Sequence, residues 1–137
     1  MRPEAETMTR RILIVATDDD ERAVMRQALE PRDLEIVDAL DFTRAYAVLL
    51  ESQFDLIVIQ SAGSPRDGIE LIKRVRATPQ LTGILILVIA EWGTGEPTLA
   101  LSAGADAYEP NEPKPIDPSR LHTSIERLLS PQVATAN

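Results

Sequence analysis

The sequence predicts a three-layer α/β sandwich around a parallel sheet of five strands. Three observations carry that reading. Short apolar runs such as Ile12-Leu-Ile-Val-Ala16, Asp55-Leu-Ile-Val-Ile59 and Ile84 to Ala90 are rich in β-branched residues and nearly continuous, as in strands covered on both faces. Between them lie stretches whose apolar residues recur at helical spacing. The two kinds alternate five times with short connections, which points to helical crossovers between parallel strands. The alternation alone leaves the strand order open.

Taken in order, residues 1–10 are polar and read as a frayed lead-in, residues 11–130 as the domain and residues 131–137 as a tail. Ile12 to Ala16 is the first buried strand. Thr17-Asp-Asp-Asp-Glu21 then supplies an N-cap and an acidic first turn for a helix through Glu30, with Val24, Met25, Ala28 and Leu29 inward and Pro31 as its stop. Leu34 to Ala39 is a weaker strand. Asp41 or Thr43 caps a helix to about Ser52, with Phe42, Ala45, Tyr46 and Leu49 on its apolar stripe. The third strand, Asp55 to Ile59, has Gln60 at its carboxyl end. Asp67 opens a helix to about Ala77 carrying Ile69, Ile72 and Val75, and Ile84 to Ala90 is the fourth strand.

After a loop at 91–97, Pro97 suits the first turn of a weak helix that ends at Gly104. Ala105 to Tyr108 is a very short fifth strand. The Pro-rich stretch that follows lacks four backbone donors and suits neither a helix nor a central strand. Asp117 and Pro118 form an N-cap and first helical position for a last helix to about Leu129, with Leu121, Ile125, Leu128 and Leu129 inward.

Composition narrows the function. The 137 residues are 44% apolar and 26% charged, an ordinary globular mixture. A net charge of −8 disfavours nonspecific binding to nucleic acid or acidic membranes. There is no cysteine, hence no disulfide or thiolate chemistry, and the single histidine, His122, makes no metal-ligand cluster. The start lacks the apolar core of a signal peptide, and the longest apolar run is too short to span a bilayer. A cytoplasmic, soluble protein without a cofactor is expected.

In an open α/β sheet, ligands and chemistry collect beyond the carboxyl ends of the strands, which places Gln60 at the centre of the candidate site. The run Asp18-Asp-Asp-Glu21 reads as a solvated helix N-terminus, with a metal site built on Asp18 as the alternative. Lys114 reads as a partner for Gln60 or for strand-end carbonyls, with anion binding as its alternative. Ser61 has no base nearby to make it an acceptor. Trp92 is either a partner anchor or a lid on the helix below it.

The chain resembles the receiver domain of two-component response regulators over about residues 10–130. The resemblance rests on RILIV at 11–15, FDLIVI at 54–59, Asp67-Gly-Ile-Glu-Leu71, Ala103-Gly-Ala-Asp106 with Tyr108, and Lys114-Pro115. It implies a CheY-like, flavodoxin-like fold with strand order 2-1-3-4-5. It also exposes departures. Two acidic metal ligands are implied where Ala16 and Thr17 stand, the phosphoacceptor aspartate where Gln60 stands, and a Thr or Ser hydroxyl where Ile89 stands. Lys114 is retained, but five residues rather than the usual two separate it from Tyr108.

Phosphorylating a carboxylate needs an anionic nucleophile and a hard cation held by oxygen ligands. An amide at Gln60 is a poor nucleophile, and Ala16 brings no charge. The resemblance therefore implies a degenerate, non-enzymatic pseudo-receiver whose pocket is Ala16, Thr17, Asp18, Gln60, Ile89 and Lys114, with no metal. Its partner is expected to be a signalling protein, or a second copy, rather than nucleic acid or membrane. The expected surface is the fourth helix, fifth strand and last helix, including Trp92, Tyr108 and the loop residues Glu109, Pro110, Asn111, Glu112 and Pro113. Two alternatives stand beside it: a receiver phosphorylated at an unconventional residue or with a shifted metal site, and a nucleotide- or flavin-binding module. Against the second, no Gly-rich phosphate loop follows the first strand.

Overall fold

A computed structural model describes residues 10–16, 18–29, 34–60, 65–90, 96–110 and 117–129. The strands are β1 (Arg10–Val15), β2 (Leu34–Ala39), β3 (Leu56–Gln60), β4 (Leu85–Ala90) and β5 (Ala107–Pro110). The helices are α1 (Asp19–Leu29), α2 (Phe42–Glu51), α3 (Pro65–Ala77), α4 (Glu96–Ala103) and α5 (Pro118–Leu129), with a 3-10 turn at Pro79–Leu81. Every strand pairing is parallel and the order is β2-β1-β3-β4-β5. The doubly wound fold is thus the one the alternation and the resemblance implied.

Strand alternation sorts the core into two faces. Leu13, Val15, Ile57, Ile59, Ile86 and Val88 pack under α2, α3 and α4, against Ala45, Leu49, Ile72, Val75 and Ala100. Ile12, Ile14, Leu56, Val58, Leu87 and Ile89 pack under α1 and α5, against Met25, Leu29, Leu121 and Ile125. All five residues of β3 are buried, which is why its sequence is apolar without alternation. Of the stripes read from the sequence, Met25, Leu29, Phe42, Ala45, Tyr46, Leu49, Ile69, Ile72, Val75, Leu121, Ile125, Leu128 and Leu129 pack into the two clusters; Val24 is only partly buried, and the side chain of Ala28 lies outside the described residues. Leu71 on α3 and Ser124 on α5 are buried as well, outside those stripes.

Several boundaries move, each for a local reason. β1 starts two residues earlier than expected, because Arg10 and Arg11 already pair with Leu34 and Glu35. It ends before Ala16, whose N–H reaches the carbonyl of Ala39 at 3.4 Å. The α1 cap is Asp18: its Oδ1 accepts from the N–H of Asp20 at 2.8 Å and of Glu21 at 3.1 Å. Asp41 rather than Thr43 caps α2, accepting from the N–H of Arg44 at 2.8 Å. α3 opens at Pro65, with Asp67 in its first turn rather than at its start.

β5 lies two residues later than expected because residues 104–106 close α4. The N–H of Gly104 reaches the carbonyl of Leu101, and that of Ala105 reaches Ala100, the paired bonds of a Schellman cap. Gly104 has φ +125°, a conformation in which a side chain is strained. Arg76 then clasps this turn. Its guanidinium donates to the carbonyls of Gly104 (2.9 Å), Thr82 (2.9 Å) and Ile84 (2.7 Å) and to Asp106 Oδ2 (2.8 Å). The same Asp106 oxygen accepts from the N–H of Ile86. The Pro-rich stretch does supply a strand residue, since Pro110 pairs with Ala90; β5 is an edge strand, where proline is tolerated.

Candidate functional site

The last row of the sheet, at the carboxyl ends of the strands, brings together residues separated by long stretches of chain. Gln60 ends β3 and pairs in register with Ile89 of β4, which pairs with Glu109 of β5. On the other side Val15 pairs with Ile59, so Ala16 follows beside Gln60. By alternation Gln60 continues Leu56 and Val58 on the α1–α5 face, where Ala16 and Ile89 are also buried.

Gln60 is therefore an amide set between two apolar neighbours. The residue is 2% exposed, and among the described residues neither its Oε1 nor its Nε2 has a hydrogen-bond partner. A buried polar group left unsatisfied costs about 1–3 kcal/mol. Among the described residues, Gln60 is the side chain of this row that carries such unpartnered atoms.

The first turns of α1 flank this row. Asp18 has its Oδ1 engaged with two backbone N–H groups. Arg22 folds back from the next position of the helix. One guanidinium arm donates to the carbonyl oxygen of Ala16 at 2.7 Å, and the other pairs with Asp19. The Arg22 side chain is only 11% exposed. Sequence reasoning did not single out Arg22. The signal was an arginine three residues after Asp19, at a spacing that brings helix side chains together.

Glu109 flanks the other side and is held by α5. Arg120 Nε donates to its Oε1 at 3.1 Å, and the buried Ser124 hydroxyl donates to its Oε2. Tyr108 is half-buried against the apolar cluster that includes Val88 and Ala100. On α4, small Ala100 faces the core while Leu99 and Leu101 stand 54% and 49% exposed. α4 and α5 cover opposite faces of the sheet, and β5 is the edge strand where those faces meet.

Thr17, Trp92, Asn111, Glu112, Pro113 and Lys114 lie outside the described residues, as does the side chain of Pro110. Among the described residues no group of three or more His, Cys, Asp or Glu side chains is placed to hold a metal ion. A shallow cleft of about 890 Å³ lies at the opposite end of the sheet, lined by Arg10, Phe54, Asp55 and Gly83 among others, and is separate from the Gln60 row.

The response regulator receiver domain family matches the chain over residues 12–126. The chain belongs to this family. Among its relatives, PetR of Rhodobacter capsulatus is 32% identical over 127 residues, covering 91% of this chain and 52% of PetR. The transcriptional regulatory protein CpxR of Escherichia coli is 28% identical over 119 residues, covering 87% of this chain and 49% of CpxR. The chain spans about half the length of these relatives.

Solved receiver structures superimpose closely. The chemotaxis response regulator CheY4 of Vibrio cholerae gives a TM-score of 0.78 at 24% identity, covering 89% of this chain and 100% of that one. A two-component response regulator from Clostridium difficile gives 0.75 at 25% identity, covering 88% and 95%. This receiver domain, a module of two-component signalling, therefore keeps the family's five-stranded parallel sheet with order 2-1-3-4-5. No helix among its described residues is long and apolar enough to cross a membrane.

Proposed function

We propose that this receiver domain is a pseudo-receiver: it signals through protein–protein contact and does not depend on aspartyl phosphorylation. The observation that carries the reading is Gln60, a buried amide with no partner among the described residues, at the place where the family resemblance puts the phosphoacceptor aspartate. Its neighbours agree with it. The Ala16 side chain offers no ligand and that of Ile89 no hydroxyl, so the family's nucleophile, one metal ligand and the switch contact are replaced at Gln60, Ala16 and Ile89. Nucleophilic transfer at Gln60 would need an anionic oxygen there, and the carboxylate of Glu109 in the same row is already held by Arg120 and Ser124.

The contact surface in this reading is the side formed by α4, β5 and α5. Leu99 and Leu101 offer exposed apolar area there, beside a β5 edge that Arg120 and Ser124 hold in place through Glu109. Buried apolar anchors carry most of the free energy of such contacts. The test is association, with a captured signalling partner or with itself, measured with and without acetyl phosphate and magnesium. Equal affinity in the two conditions supports the proposal. Affinity that appears only with the phosphodonor overturns it.

A further inference from the structure

We infer that, among the described residues, Arg22 supplies the positive charge at this strand end in place of the divalent metal that a receiver would bind. The inference rests on the pseudo-receiver reading and deepens it. Family membership implies a hard cation beside the end of the first strand, and the chemistry here does not fit one. Magnesium takes oxygen ligands, usually with one or two carboxylates among them. Ala16 has no donor side chain, and its carbonyl oxygen is already bonded by the Arg22 guanidinium at 2.7 Å. Asp18 caps α1 through its Oδ1, and Asp19 is paired with the second arm of Arg22. Gln60 offers an uncharged amide.

Arg22 is suited to the role. A guanidinium grips through a planar fork, so one side chain pairs with Asp19 and ties down the strand end together. Its side chain is largely withdrawn from solvent, where like charges repel more strongly than in bulk water. A second cation beside Ala16 therefore meets a fixed positive charge and a carbonyl that is already occupied. Arg22 acts as a positioning residue: it fixes the end of β1 to the first turns of α1 without a metal.

The experiment measures manganese binding by calorimetry in the full chain after carboxylates are restored by Ala16→Asp, Thr17→Asp and Gln60→Asp. In that background Arg22→Met should tighten binding about tenfold or more, while Arg22→Lys, which keeps the charge, should stay within about threefold of the arginine form. Equal affinities for the Arg22 and Arg22→Met forms would overturn the inference. So would sub-millimolar manganese binding by the unaltered chain.

Circular dichroism reports whether each variant folds. A second measurement on the unaltered chain decides the matter if one does not. Held by the Ala16 carbonyl, the Arg22 guanidinium should give resolved, slowly exchanging nitrogen–proton signals that millimolar magnesium leaves in place; averaged, fast-exchanging signals would contradict it. A phosphoryl adduct on the unaltered chain would instead sink the pseudo-receiver reading, an outcome distinct from any result of the Arg22 comparison.

Discussion

At the scale of single residues, the site is defined by one uncomfortable side chain. Gln60 carries two polar atoms that have no partner among the described residues, so Gln60→Met, close in volume and without those atoms, should stabilise the domain by about 1–2 kcal/mol. An upward shift of the urea midpoint at unchanged m-value is the expected reading; a loss of stability would mean that the amide has a partner. Gln60→Asp alone should not restore phosphorylation, because it supplies a nucleophile and leaves Ala16 and Arg22 as they are. A missing electrostatic clamp on a transferring phosphoryl group costs roughly a hundred- to a thousandfold in rate. Gly104→Ala makes the opposite kind of test. Its Cβ would stand 2.6 Å from Cγ of Arg76 at φ +125°, so thermal unfolding should show a loss of about 2–3 kcal/mol.

What the sequence showed at this scale depended on whether chemistry was local. The departures at Ala16, Gln60 and Ile89 could be named only through the family resemblance, and the fold does bring those three into one row. Arg22 could not. Its bond to the Ala16 carbonyl depends on the angle at which α1 leaves the strand, and no spacing rule gives that angle. The Arg76 clasp was illegible for the same reason: its four acceptors come from two separate segments, 82–84 and 104–106.

At the scale of elements, α4 is the unusual member. It spans only eight residues and turns Ala100 inward while two leucines face solvent, so it buries little apolar area to hold it in place. Amide hydrogen exchange should therefore be faster along α4 than along α3, whose Leu71, Ile72 and Val75 are buried. Comparable protection would show that α4 is as firmly held as its neighbours. Leu99→Asp with Leu101→Asp should leave the melting temperature nearly unchanged and weaken association at least tenfold. The elements themselves were legible because each strand is a continuous apolar run between turn residues. Their ends were less so: Gly104 read correctly as the end of α4, but Ala105, which completes the Schellman cap, read as the start of β5.

At the scale of the whole molecule, the sheet separates its apolar middle from the residues at its carboxyl end. Its middle is an apolar core on both faces, which secures the receiver fold independently of what stands at the carboxyl end. That separation lets a receiver keep its architecture while its site diverges, since fold and chemistry rest on different residues. The family was legible in the order and spacing of motifs along the chain, and strand order came with the resemblance rather than from periodicity. The central claim is that this domain works without accepting a phosphoryl group, and intact mass after incubation with acetyl phosphate and magnesium tests it most directly. The account predicts that the full chain keeps its unmodified mass throughout; a stoichiometric phosphoryl adduct would contradict it.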